Sequence, residues 1–284
     1  MNGKVFRRLS LLSATLTLFL LIGIFAILFT YAQQSIQAFG FDFLTIDQWE
    51  TDEDGYGGVF GGWIPIIGTL LSTLIAMAVA IPLAMGIAIF LTEIAHSNLI
   101  RPVSVAIELL AAIPSIIYGM WGLFYFAPII QELFGGNGVG LLTAGIVLAI
   151  MILPFMAAIT KDAMNTTPGV LKESAYAMGA TKFEVIKDVV MPYSKAGIIG
   201  SIILALGRAL GETMAVAFLI GSVMSVAHKV TDSTISIPVL LANNFSEAQD
   251  LQLSSMYYLA LILFVVSFAV ISLAKFYFLR RGTK

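Results

Sequence analysis

Six stretches of this chain, roughly 10–32, 63–91, 103–127, 141–160, 197–225 and 255–279, are each apolar for about 20 residues or more. That is the length an α-helix needs to cross the hydrocarbon core of a bilayer. Of the 284 residues, 59% are hydrophobic and only 11% charged, with a mean hydropathy of +0.96. A water-soluble domain carries about 25% charged residues, so this chain lacks the polar surface to cover a soluble core. It reads as a multi-pass, all-α membrane protein with six transmembrane helices. Lys and Arg set the orientation, because short cytoplasmic segments are enriched in them. With both termini inside, the cytoplasmic pieces hold Lys4, Arg7, Arg8, Arg101, Lys161, Lys172, Lys182, Lys187, Lys195, Lys275, Arg280, Arg281 and Lys284, thirteen of the fifteen basic residues. Lys229 falls outside and Arg208 falls within a span.

Several classes of function find no support. There is no cysteine, and His96 and His228 stand far apart, so neither a thiolate nor a histidine metal centre is expected. No HExxH, paired membrane Asp or Ser/His pairing suggests an intramembrane enzyme. No GxxxxGK[ST] loop occurs, so any nucleotide energy must come from another subunit. The basic start followed by an apolar run resembles a secretory signal, but the run is longer than the 7–15 residues of a signal core and reads as a retained span. Segment 33–62 carries Asp42, Asp47, Glu50, Asp52, Glu53 and Asp54 before GYGGVFGG. It lacks EF-hand ligand spacing and is expected to be a solvated outer loop. Segment 226–254 is expected to be a second, polar outer segment. Trp49, Trp63 and Tyr31 fit an interfacial aromatic belt.

The sharpest feature inside a span is GRALGETMAV at 207–216. On a continuous helix Arg208 and Glu212, four apart, share a face. A charge at the bilayer centre costs about 2.5–3.5 kcal/mol on insertion scales. Two readings stand open: a structural ion pair, or an Arg that meets a passing anion, for which the planar guanidinium suits oxyanions. Pro114 is expected to kink the third span, leaving Ser115 and Tyr118 to offer hydroxyls there. Glu108 lies near the cytoplasmic start of that span.

Between the fourth and fifth spans, ESAYAMGATKFEVIKDVVMP (173–192) suggests two short helices hinged at Gly179 and stopped by Pro192. The segment resembles the cytoplasmic signature of ABC importer permeases, E-A-A, three residues, G, nine residues, I-x-L-P. Glu173, Ala175, Gly179 and Pro192 are in register, while Ser174, Val189 and Met191 depart at the second Ala, Ile and Leu positions. GTLLSTLIAMAVAIPLAMGIAIFLTE (68–93), ELLAAIPSIIYGMWG (108–122) and GRALGETMAVAFLIGS (207–222) are similar to the permeases of phosphate importers, the GETMAV continuation favouring the C-type subunit.

The resemblance covers about Phe39 to Phe278 and implies the importer fold of methionine- and maltose-type (MetI-like) permeases. Residues 1–62 would form the N-terminal tail, first span and acidic loop. Residues 63–284 would form a five-span core with a cytoplasmic coupling loop at about 161–196. It implies a transport subunit rather than an enzyme, in the cytoplasmic membrane of a prokaryote, with no cofactor of its own. The implied partners are a homologous A-type permease, two ATPase subunits that bind ATP and Mg, and an extracytoplasmic phosphate-binding protein; none is a nucleic acid. Arg208, Glu212, Ser115 and Tyr118 are the expected translocation residues. Glu173, Ala175, Gly179, Lys182 and Pro192 are the expected ATPase-coupling residues, with the small side chains letting the coupling helix seat closely. A permease for another oxyanion, or a carrier driven by an ion gradient, remain as alternatives.

Overall fold

The structure is a computed structural model and describes residues 3–52 and 57–280. The side chains of Lys4, Glu53, Asp54, Arg280, Arg281 and Lys284, used above for orientation and for the acidic loop, lie outside the described residues. The elements in chain order are α1 (Gly3–Phe39), a 3-10 turn (Gly40–Leu44), β1 (Trp49–Thr51), β2 (Gly58–Phe60) and α2 (Trp63–Ile94). There follow α3 (Ser97–Ala111), α4 (Ser115–Phe134), α5 (Leu141–Asn165) and α6 (Gly169–Ala177). The chain closes with α7 (Lys182–Leu210), α8 (Met214–Leu219), α9 (Ile237–Asn244) and α10 (Asp250–Arg280). Six of the described helices are long and apolar enough to span a membrane: α1, α2, α4, α5, α7 and α10.

The chain divides into two compact units. One contains Met1–Trp63 and Leu241–Val266. Here the Ser254 hydroxyl donates to the Tyr31 carbonyl (2.8 Å) and accepts from the Ser35 amide (3.0 Å). It bridges the two ends of one i→i−4 step of α1. Ser255 bonds to the Ser35 hydroxyl at 3.0 Å, and the Tyr258 hydroxyl donates to the Gly40 carbonyl at 3.0 Å. These polar ties suit a membrane setting, where apolar faces alone gain little from meeting one another. The acidic segment is more ordered than a solvated loop. β1 and β2 pair antiparallel with Trp49 opposite Phe60, and Phe43 and Phe60 are fully buried. Tyr31 stacks on Tyr257 with ring centroids 4.9 Å apart.

The other unit contains Ile64–Leu240 and Ser267–Lys284. Its centre is α5, which packs along α7 with a buried hydrogen bond between Thr160 and Ser201 (2.8 Å). Three differences from the sequence reading matter. The expected third span, 103–127, is cut at 112–114: α3 is a separate helix against α5, and the spanning helix starts at Ser115. The expected fifth span, 197–225, is cut at 211–213. The segment after α8 is also not a free outer loop. The Gly140, Leu141 and Leu142 amides, with no partner inside the first turn of α5, donate to the carbonyls of Leu219, Asp232 and Val230. Ile235, Ile237, Val239 and Leu240 are buried behind this crossing.

Candidate functional site

The two helix breaks come together. A Cβ on Gly119 would stand 3.0 Å from the Cα of Ala215, and one on Gly122 would stand 3.0 Å from the methyls of Leu219 on α8 and of Val147 on α5. Residue numbers rise together along this contact, so α4 and α8 run in the same sense. Four residues before Gly119 is Ser115, and four before Ala215 is Gly211. The breaks at 112–114 and 211–213 therefore fall at one level. Irregular backbone at membrane depth is tolerated where it is buried in protein or lines a cavity, and this level carries the charged residues of the span.

Each break has a local cause. Pro114, extended at φ −58°, ψ 139°, precedes Ser115; its missing N–H and its ring do not merely kink the helix but end it. The Tyr118 hydroxyl staples the gap by donating to the Leu110 carbonyl at 2.9 Å. At the second break Gly211 follows α7, and a glycine costs a helix about 1 kcal/mol against alanine. The Glu212 carboxylate then accepts from the Ala215 amide at 3.2 Å, and the Thr213 hydroxyl bonds to the Gly211 carbonyl at 3.3 Å. Such side-chain bonds compete with the helical ladder.

The break decides the fate of the intramembrane charges. Arg208 and Glu212 no longer share one helical face, and no ion pair joins them: among the described residues the ion pairs are Lys161–Asp162 and Lys172–Glu93. The Arg208 guanidinium lies 5.8 Å from the centroid of the Phe155 ring on α5, and its Nε is buried with no hydrogen-bond partner. Arg208, Glu212 and Ser115 are half-buried and Tyr118 is buried. Tyr118 has already committed its one proton to Leu110, so it positions the break rather than offering a free donor. Phe155 and Gly119 escaped the sequence reading; the G-x-x-G spacing of Gly119 and Gly122 is the signal that marked a close helix contact. Glu108 is exposed on α3. A concavity of about 490 Å³ between 134–137 and 223–233 is lined by none of these residues.

On the connection between α5 and α7, α6 ends in a Schellman turn. Gly179, at φ +91°, donates to the Tyr176 carbonyl and Ala180 to the Ala175 carbonyl, the two bonds of that motif. Thr181 and Glu184 then form a reciprocal capping box at the start of α7, with Lys182 in the first turn and exposed. Pro192 does not stop this helix. The turn Val185–Val190 is π-helical, with the Met191 amide reaching back to Ile186, and the widened ladder accommodates a residue without an N–H. Ala175 faces inward, in a cluster with Ala88, Met164, Val185, Val190 and Ile198. Its small size thus serves packing within this chain, while Glu173, Tyr176, Met178 and Phe183 point outward.

Residues 70–283 match the family described as "Binding-protein-dependent transport system inner membrane component". The "Phosphate transport system permease protein PstC" of Pasteurella multocida is 44% identical over 97% of this chain and 91% of its own length. The "Probable phosphate transport system permease protein PstC" of Methanocaldococcus jannaschii is 34% identical over 97% and 93%. Among solved structures, a bacterial alginate ABC transporter chain superposes with a TM-score of 0.68 at 16% identity, covering 100% of this chain and 99% of that one. A chain of the MetNI methionine ABC transporter gives 0.60 at 21% identity, covering 77% and 94%. These two share its fold. The chain belongs to the binding-protein-dependent transport system inner membrane components and, within them, to the phosphate transport system permease proteins.

Proposed function

We propose that the chain is the C-type transmembrane subunit of an ATP-driven importer of inorganic phosphate and that Arg208 meets the anion in transit. The observation that carries this reading is the Nε of Arg208. A permanently charged side chain within a spanning helix has a buried Nε without a partner, and a tetrahedral oxyanion offers what it lacks. Ser115 and the groups freed at the two breaks complete a polar level around it, and Tyr118 holds one break in shape. Glu212, held on the Ala215 amide, keeps negative charge close enough to weaken anion binding, as turnover requires.

In this reading both termini are cytoplasmic and residues 63–284 form the permease core. An A-type permease supplies the other half of the pore, and a binding protein delivers phosphate from outside. Two ATPase subunits bind ATP and Mg and dock on α6 and the turn after it, where Glu173 and Lys182 orient the contact and Gly179 and Ala175 fix its shape. Pro192 marks the π turn that carries the motion into α7. Family membership leaves the ion-gradient carrier without support.

The test is labelled-phosphate uptake by the assembled complex in proteoliposomes, wild type against Arg208→Gln. Losing a charged hydrogen-bond partner worth about 1.5–3 kcal/mol predicts uptake about 10- to 150-fold lower with assembly and ATP hydrolysis retained. Normal uptake by the variant refutes the role of Arg208. A wild type that ignores phosphate and carries sulfate or molybdate changes the substrate and leaves the permease.

A further inference from the structure

Glu93 and Lys172 have no place in the reading above. They stand 79 residues apart, yet their side chains form an ion pair. It is the one ion pair among the described residues that joins distant parts of the sequence, and the Glu93 and Lys172 side chains are 7% and 22% exposed. A pair so shielded is little weakened by salt. Glu93 is carried by a π turn, Phe90–Ile94, at the end of α2, which turns it away from the regular helical course. Beside it the Thr92 hydroxyl donates to the Ala88 carbonyl at 3.0 Å and lies 3.8 Å from the Met164 sulfur.

Connectivity gives the pair a purpose. α6 is joined to α5 through residues 166–168 and to α7 through 178–181. Any displacement of α6 reaches those helices through short peptide links. α2 has no such link. It meets α6 through Ala88 in the apolar cluster and through Glu93–Lys172. Apolar contact is non-directional and allows one surface to slide over another, whereas a charge-assisted hydrogen bond holds its partners in one geometry.

We propose that Glu93 and Lys172 are positioning residues that tie α2 to α6, so that displacement of α6 by a nucleotide-driven partner is passed to α2 instead of being lost as sliding. The proposal rests on the reading of α6 as the ATPase-docking helix. The experiment measures phosphate moved per ATP hydrolysed by the complete complex in proteoliposomes. Glu93→Gln and Lys172→Met assemble, keep hydrolysis within about twofold of wild type, and move about fivefold less phosphate per ATP, or lower still. The exchanged pair Glu93→Lys with Lys172→Glu recovers the ratio. Uptake and hydrolysis falling in proportion overturn the proposal, as does a ratio unchanged in the single variants.

A second readout does not depend on the cargo. The chain has no cysteine, so spin labels go on Leu83→Cys in α2 and Ser174→Cys in α6, both exposed. The distance between them stays constant between nucleotide-free and ATP-trapped complexes, and shifts on trapping once Glu93→Gln is added. A distance that behaves alike in both backgrounds refutes the tie. Failure of wild type to move phosphate counts against the substrate alone, and the distance still decides.

Discussion

Replacing Gly179 by Ala probes the turn between α6 and α7, which the proposed function makes part of the docking surface for a partner subunit. Nothing lies within 4 Å of the position a Cβ would take there, so the penalty is that of the backbone alone. Holding an L-residue at φ +91° costs about 1–2 kcal/mol. Against it stand the two hydrogen bonds that close the turn, Gly179 to Tyr176 (3.0 Å) and Ala180 to Ala175 (3.1 Å), each worth about 0.5–1.5 kcal/mol net. Strain and bonds nearly cancel, leaving the inward packing of Ala175 and the Thr181–Glu184 box to hold the turn. An alanine also favours one more residue of α6, which would draw Thr181 out of its capping geometry. Hydrogen–deuterium exchange of the lipid-embedded protein, read on peptides spanning 169–190, should show amides of 179–185 exchanging about 5- to 30-fold faster. Gly179→Asn should change them less, because Asn visits this conformation more readily. Exchange within twofold of wild type for Ala, or an equal effect for Asn, would refute the strain argument.

Thr69→Val removes the acceptor for the buried Ile237 amide (2.8 Å); an unsatisfied buried donor costs about 1–3 kcal/mol, so the melting temperature of the purified protein drops while Thr69→Ser holds it. Ser254→Ala opens the bridge in α1, which can re-close its own ladder, so the melting temperature falls by only about 2–4 °C. Tyr118→Phe loses the staple to Leu110 and destabilises by about 0.5–1.5 kcal/mol; a loss of uptake out of proportion to that would show the hydroxyl acting on the anion itself. Gly211→Ala meets no atom closer than 3.8 Å and gains about 1 kcal/mol of helix propensity. It should heal the break, pair Glu212 with Arg208 and slow phosphate uptake, and adding Glu212→Gln should lessen that defect.

The spans were legible because twenty-residue apolar runs leave a chain little choice, and the hinge between α6 and α7 was legible at Gly179, which the structure holds at φ +91°. Pro192 misled: a proline ends a regular helix, but only a structure shows that the turn before it has widened. The third span misled for a related reason. Hydropathy runs smoothly across 103–127, so nothing in it distinguishes α3, lying on α5, from the start of a crossing helix. Glu93 and Lys172 were invisible as partners, since 79 residues of separation leave no periodicity to read.

The most consequential misreading concerned the geometry of two charges rather than their identity. On an unbroken helix Glu212 would stand one turn from Arg208 and neutralise it, and the pair would be the inert strut that one of the two sequence readings described. Gly211 interrupts the ladder, Glu212 turns to the Ala215 amide, and Arg208 is left against the Phe155 ring with a buried Nε that has no hydrogen-bond partner. The parallel contact of α4 on α8 brings the proline-made break to the same level, so two independent interruptions, neither favourable on its own, open the backbone beside one uncompensated cation. A fold selected for stability alone would close both gaps. In the proposed function their coincidence supplies polar groups at that depth, which is what an anion stripped of water requires.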